Sequence, residues 1–337
     1  MKMKLLFSVL LASLALMSSG RADVAKNFSG KTITIVVPYG TGGSYDKYAR
    51  VFAKTLVKHI PGNPKAIVQN KTGGNGMIAM NWFANKAPND GRTLLVPLQQ
   101  TVVMQLLFPK KARYDAGKFF WLGASNKTNM IATSTKVKTI DQWRSTNAEL
   151  MVPDVSKFGA AYLAAKVTGG ALNLPIRVIT GYRTQTEMLK SIESGETNAG
   201  FSSHPALMAF VPQWFEGNPP KVNRIAQFGL TRDPDLPNLA TVLEMTPAKN
   251  KAAVRLASSP AYFGRGLVLP PGTNKEISLA LRVAYDKMSS DEEFKALLKK
   301  RRLPLIPTKG EDLDATVKQL LSETTPEVLA DIRNWLK

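Results

Sequence analysis

Ile35-Val36-Val37-Pro38-Tyr39-Gly40-Thr41-Gly42-Gly43-Ser44-Tyr45-Asp46 decides how the chain is read, because a β-branched run ends in it and a periodic helix begins. Thr32 to Val37 is rich in strand formers, and Pro38 cannot donate to a sheet ladder, so the strand stops there. Tyr45, Tyr48, Ala49, Phe52, Ala53, Leu56, Val57 and Ile60 recur at spacings of three and four, which places them on one helix face. Ser44 is the expected N-cap. Glycines between strand and helix let backbone N–H groups approach a ligand, and the helix dipole favours negative charge there, so the implied ligand is an anion. A plain turn that needs glycine only for its dihedrals is equally open on these residues. Asp46, in the first helical turn, caps the helix or touches the ligand.

Working outward, strands and helices alternate from Thr32 to Val96, with further strands at Ala66 to Gln69 and Thr93 to Val96. Such alternation makes a parallel sheet with right-handed crossovers, whose ligand loops share the edge at the strands' carboxyl ends. Those loops are Pro38 to Ser44, Asn70 to Gly76 and Pro97 to Thr101. A similar alternation follows: strand Leu150 to Val152, helix Ser156 to Val167, strand Arg177 to Thr180, helix Thr184 to Ile192, strand Thr197 to Phe201. It predicts a second α/β lobe over 128–231, with loops at Pro153 to Lys157, Gly181 to Gln185 and Ser202 to Pro205. After the strand Arg224 to Phe228, Arg232-Asp233-Pro234-Asp235-Leu236-Pro237 reads as a stiff extended connection. It leads back to a first lobe made of 23–127 and 232–337. There Leu267 to Leu269 is a strand, and the segments from Asn274 to Leu336 are amphipathic helices covering the sheet.

Met1-Lys2-Met3-Lys4, the nearly unbroken apolar run Leu5 to Met17, and Ser18 to Ala22 read as a cleavable signal peptide over 1–22. The run is shorter than the roughly 20 apolar residues that a membrane-spanning helix needs. The 337-residue chain has no cysteine, which excludes a lipoprotein anchor, disulfide staples and thiolate chemistry. The expectation is a soluble periplasmic protein. Its formal charge of +20, which loses three with Lys2, Lys4 and Arg21, is a field suited to acidic solutes. The basic residues are dispersed, and the one run, Lys299-Lys300-Arg301-Arg302, reads as a solvated helix end, so no nucleic-acid partner is expected.

Gly74-Asn75-Gly76-Met77-Ile78-Ala79 satisfies G-x-G-x-x-A, so a dinucleotide site must be weighed. The acidic residue due after the next strand is missing, since Asp90 lies before that strand. Phosphate-loop, nucleophile-elbow and zinc-helix motifs are absent from the sequence. Of the two histidines, His59 ends the first helix and reads as structural, while His204 follows a loop without a paired carboxylate. No catalytic residue, metal or cofactor is expected.

The chain resembles the substrate-binding receptors of tripartite tricarboxylate transporters, the TctC or Bug family. The resemblance is carried by Ile35 to Asp46, Val68 to Gly76, Ala87-Pro88-Asn89-Asp90-Gly91, Gly181-Tyr182 with Gly195-Glu196, Arg232 to Pro237, and Pro270-Pro271-Gly272-Thr273. It implies an α/β fold of the two-lobed, type II periplasmic binding-protein kind, with a parallel-rich sheet flanked by helices in each lobe. It also implies a monomer that closes like a jaw on a small organic carboxylate and delivers it to membrane transporter subunits. Transferred residue by residue, the ligand contacts are Tyr39, Thr41, Gly42, Gly43, Ser44, Asp46, Thr72, Gly73, Gly74, Asn75, Gln99 and Gln100 in the first lobe. In the second they are Ser156, Lys157, Tyr182, Arg183, Thr184 and Ser202. The chain differs from the family pattern at Thr72 and Asn75, where proline and glycine are usual, at Arg183-Thr184-Gln185, where small residues are usual, and at Asn198, where an aspartate is common. Arg183 either forks a second carboxylate or faces solvent. Readings from other classes are an exported nicotinamide-dependent oxidoreductase and a ligand-sensing partner of a membrane signalling protein.

Overall fold

The computed structural model describes residues 24–126, 128–157 and 159–337. The leader read at 1–22 lies outside them. The chain divides into a first unit, which runs to Leu98 and adds Pro109–Asn126 and Arg265–Val317, and a second of Gln99–Phe108, Lys127–Gly264 and Lys318–Lys337. The strands are β1 (Thr32–Val37), β2 (Lys65–Asn70), β3 (Thr93–Leu95), β4 (Phe120–Ala124), β5 (Met130–Ser134), β6 (Leu150–Asp154), β7 (Ile176–Thr180), β8 (Ala199–Ser203), β9 (Asn223–Phe228), β10 (Gly266–Leu269) and β11 (Thr308–Lys309).

The first unit carries one sheet in the order β11-β4-β10-β3-β1-β2. β1 is parallel to β2, with Thr32 opposite Lys65 and Val37 opposite Asn70, and parallel to β3. β10 runs antiparallel to both β3 and β4, and β11 antiparallel to β4. Four of the six strands therefore point one way. Parallel neighbours require crossovers, which the helices Ser44–Thr55 and Met77–Lys86 supply. The inward face of Ser44–Thr55 brings Phe52 against Tyr48, Tyr285 and Phe294, with ring centroids 6.0, 5.8 and 6.0 Å away. All four rings are buried. The hydroxyl of Tyr285 meets Ser125 Oγ at 2.7 Å, so burying that ring strands no polar atom.

In the second unit β5 lies antiparallel between β8 and β9, while β6 and β7 pair in parallel. Asn198 joins these pieces. Its N–H donates to Met151 O at 3.1 Å, its Oδ1 accepts Met151 N–H at 2.9 Å, and its Nδ2 donates to Glu149 O at 3.3 Å. The second unit thus has two sheets, β7-β6 and β8-β5-β9, bridged at Asn198, and set end to end they match the order β2-β1-β3-β10-β4 of the first unit. In each, the reversed strand arrives from the other unit's stretch of chain: β10 after the second unit's run, β5 after the first's. Periodicity alone marks neither β4 nor β5.

Arg232 to Pro237 is a set of turns and not an extended strap. Gln227, fully buried, organises it: its Oε1 accepts from Asn129 Nδ2 and Asp233 N–H, both at 2.8 Å, and its Nε2 donates to Leu236 O at 2.8 Å and Leu239 O at 2.7 Å. Residues 232–264, 318–337 and 99–108, which the sequence reading gives to the first lobe, group with the second unit. Asn250 Nδ2 donates to Ala171 O at 2.8 Å, Arg255 pairs with Glu323 at 2.8 Å, and Tyr162 Oη donates to Leu336 O at 2.8 Å. Among the described residues, no helix is long and apolar enough to cross a membrane.

Candidate ligand-binding loops

In the first unit the parallel strands β1 and β2 end side by side, which delivers two glycine loops to one edge. The first turns at Gly42, whose φ of +87° favours glycine. Gly42 N–H donates to Asp46 Oδ2 at 2.9 Å. Asp46 is 2% exposed, and its carboxylate also accepts from Arg50 Nε at 2.9 Å, Arg50 Nη2 at 3.0 Å and Asn70 Nδ2 at 3.2 Å. The Arg50 guanidinium, then the Gly42 amide and Asn70, hold the Asp46 carboxyl below the usual carboxylate range against the opposing effect of burial. These bonds make Asp46 the anchor of its own loop.

The N-cap of Ser44–Thr55 is Gly43, at φ −73° and ψ 172°, with no side chain to cap the helix. Ser44, expected as the cap, is the first helical residue, because the chain is already extended at Gly43 and enters the helix one residue later. Its hydroxyl instead accepts from Arg265. The first-turn amides of Gly43 and Ser44 have no acceptor among the described residues, and Thr41, Gly42, Gly43 and Ser44 are all exposed. Tyr39 is half-buried with its ring 4.8 Å from that of Tyr45, and burial first, then Tyr45, pushes its hydroxyl up to about 12.

The second loop is left-handed over four residues: Gly73 (φ +119°), Gly74 (+55°), Asn75 (+52°) and Gly76 (+88°). Thr72, Gly73, Gly74 and Asn75 are exposed. Gly76 is buried at φ +88°, which favours glycine, and a Cβ there would press on Leu98 Cδ2 at 2.7 Å and Pro38 Cβ at 3.2 Å, so glycine eases the seating of this loop against the first. Asn70 ties the two together, donating to Tyr39 O at 2.8 Å as well as to Asp46. Successive left-handed and helical amides of this kind form concavities that suit an anion.

Gln99 and Gln100 group with the second unit. Gln99 Nε2 donates to Pro260 O at 3.3 Å, and Gln100 precedes the helix Thr101–Leu107. In the second unit the carboxyl ends of β6, β7 and β8 carry the remaining candidates. Asp154, 3% exposed, turns its carboxylate onto the start of helix Ala160–Leu172, accepting from Val155, Ser156 and Tyr162 N–H. A Cβ at Gly159 would fall 2.0 Å from Asp154 Oδ1. That helix start therefore already holds an internal carboxylate. Thr184 caps Gln185–Glu193, accepting Glu187 N–H at 3.2 Å, while Arg183 N–H donates to Glu187 Oε2 at 2.7 Å. Tyr182 Oη donates to Glu196 Oε1 at 2.8 Å, and Ser202 Oγ accepts from Gln185 Nε2 at 2.9 Å. The side chains of Lys157 and Arg183 are exposed, with no ion pair among the described residues. His59 meets Asp291 Oδ2 at 2.9 Å, and Asn198 is taken up in strand joining.

Arg265 is the residue that sequence reasoning misses. It stands just before β10, and because β10 is antiparallel to β3, its start lies at the edge where β3 ends. Its Nε and Nη2 donate to Ser44 Oγ at 3.2 and 3.0 Å, and its guanidinium sits 3.8 Å from the centre of the Tyr45 ring. No local motif announces it; only the strand order brings residues 44 and 265 together. Among the described residues, no cluster of three or more His, Asp or Glu side chains is placed to hold a metal.

No protein-family model matches the chain. It is 23% identical over 326 residues, 94% of its length and 86% of the relative's, to a UPF0065 protein in the tcbD-tcbE intergenic region of Pseudomonas sp.. It is 24% identical over 300 residues, 84% of each chain, to Protein BugT of Bordetella pertussis. Among solved structures it is similar to a TctC solute-binding protein from Polaromonas (TM-score 0.72, 18% identity, covering 90% of this chain and 98% of that one). It is also similar to the periplasmic binding protein BugD (0.56, 20%, 91% and 98%) and to MatC from Rhodopseudomonas palustris with bound malate (0.56, 21%, 90% and 99%). The fold is that of periplasmic binding proteins, and these relatives are consistent with the TctC/Bug family.

Proposed function

We propose that the chain is a non-enzymatic periplasmic receptor that captures a small organic carboxylate and delivers it to the membrane subunits of a tripartite tricarboxylate-type transporter. The observation that carries the reading is the pair of glycine loops at one sheet edge, where the amides of Gly43 and Ser44 and the left-handed run Gly73-Gly74-Asn75 present N–H groups in exposed backbone. Thr41, Tyr39 and Thr72 flank them, with Gly42 and Asp46 as the frame. In the second unit, Lys157 and Arg183 supply exposed positive charge, and Ser156, Tyr182, Thr184 and Ser202 shape their loops. The net positive charge of the chain raises the local concentration of anionic solutes. Malate bound to MatC supports the ligand class.

A thermal-shift screen of mono-, di- and tricarboxylates tests it. Binding to the native state alone adds about 2.7 kcal/mol at a hundredfold excess over Kd, so a cognate acid raises the melting temperature. A shift with NAD(H) and none with any acid would replace the receptor by the oxidoreductase reading.

A further inference from the structure

Charge is unevenly distributed over the first unit. From Lys71 to Lys118 the chain holds seven Lys and Arg residues and two acids, Asp90 and Asp115. Both acids are engaged locally: Asp90 accepts from Arg92 Nε at 2.8 Å, and Asp115 accepts Gly117 N–H at 3.0 Å. The unit's other ion pairs use Asp46, Asp291, Glu293, Glu311 and Asp314, all outside this stretch. Lys71, Lys86, Lys110 and Arg113 therefore meet no carboxylate among the described residues.

A helix and a loop present these cations together. Helix Met77–Lys86 buries Met77, Ala79, Met80 and Phe83, which turns Ile78, Asn81, Trp82, Asn85 and Lys86 outward. Asn81 Nδ2 donates to Lys111 O at 3.0 Å and its Oδ1 accepts Arg113 N–H at 2.8 Å, while Asn85 Nδ2 donates to Arg113 O at 2.7 Å. These bonds take only backbone atoms of the loop, so they hold it against the helix and leave the side chains of Lys110, Lys111 and Arg113 exposed. On the same helix face lie Ile78, 54% exposed, and Trp82, half-buried with the Lys71 ammonium 4.8 Å from its ring centre. Long cationic side chains flanking an indole and an aliphatic group match the headgroup region of a bilayer, where phosphates lie above the start of the acyl chains.

We propose that this face docks on an anionic phospholipid surface, with Lys86, Lys110, Lys111 and Arg113 meeting phosphates and Ile78 reaching between the headgroups. The attachment is reversible, and it does not depend on which solute the glycine loops hold.

Sedimentation of the full exported chain with mixed phosphatidylglycerol and phosphatidylcholine vesicles, beside pure phosphatidylcholine vesicles, tests it. Binding to the anionic vesicles alone is expected, weakening steeply between about 0.05 and 0.3 M salt. Replacing three cations together, Lys86→Gln, Lys110→Gln and Arg113→Gln, is expected to weaken it roughly a hundredfold, about fivefold for each charge. Lys299→Gln, Lys300→Gln and Arg301→Gln together remove the same charge from a helix end elsewhere in the first unit, and are expected to weaken it far less. Ile78→Ser is expected to weaken binding several-fold at either salt concentration, and unchanged binding by it overturns the apolar contact. Equal losses in the two triple variants overturn the face in favour of net charge alone. Wild-type chain that sediments with neither vesicle, or equally with both, overturns the membrane assignment. Capture of oligoglutamate without capture of anionic vesicles overturns it too, and makes the occupant an acidic protein segment. Carboxylate titration is expected to be unchanged in both triple variants, so the receptor reading stands or falls separately.

Discussion

Asp46 Oδ2 takes the Gly42 amide proton at 2.9 Å, so the first glycine loop is closed by its own helix before any ligand arrives. The consequence is a division of labour within the loop. Gly42 serves the turn, and the amides of Gly43 and Ser44, one step further on, have no acceptor among the described residues. Asn70 and Arg50 complete the frame from β2 and from the next helical turn.

The frame has a predicted acid sensitivity. The Arg50 guanidinium chiefly holds the Asp46 carboxyl low, so its folded-state pKa lies below its unfolded one. The resulting stabilisation is present above the ordinary carboxyl pKa of about 4 and is lost as pH falls through the depressed value. Melting temperature measured against pH should show this acid-side loss in wild type and a shallower loss in Asp46→Asn. Parallel profiles for the two proteins would mean that Asp46 does not hold the loop.

Gln227 is predicted to be a principal polar determinant of the second unit's stability. Gln227→Leu preserves approximate volume but strands the Asp233 amide and Leu239 O, and removes one bond each from Asn129, which keeps Thr231 O, and from Leu236 O, which keeps Leu239 N–H. Each buried group left unpaired costs about 1 to 3 kcal/mol, so a loss of roughly 2 to 5 kcal/mol is expected in denaturant unfolding after partial relaxation. A loss within about 0.5 kcal/mol, typical of surface changes, would show that water or rearrangement replaces it.

Several elements were legible in the sequence for physical reasons that the structure makes plain. Thr32–Val37 ends at Pro38 in both, since a residue without N–H cannot extend the ladder. Tyr48, Ala49, Phe52 and Leu56, spaced at three and four, are all buried. His59 proves structural through Asp291. What local pattern could not give is what depends on distant pairing. Ser44 looks like a cap, but the chain is still extended at Gly43 and helical from Ser44 on, so the cap is Gly43, and Arg265 from β10's start engages the Ser44 hydroxyl. Arg232 to Pro237 looks extended, but Gln227 folds it into turns. β4 and β5 carry short, mixed runs, and their strand character comes from neighbours supplied by chain more than 60 residues away.

The most direct test of the account is calorimetric titration of Gly43→Val beside wild type, using the acid that gives the largest thermal shift. Gly43 has an extended φ of −73°, and a Cβ there meets nothing within 4 Å, so a side chain can start from this position without backbone strain or a Cβ clash. Valine would stand only in the space through which an anion reaches the helix amides. The account predicts a retained fold, a melting temperature lowered only by the modest penalty of valine at an N-cap, and heat of binding lost. A folded Gly43→Val protein that binds the acid with wild-type affinity would contradict it, and the first glycine loop would then be only a turn.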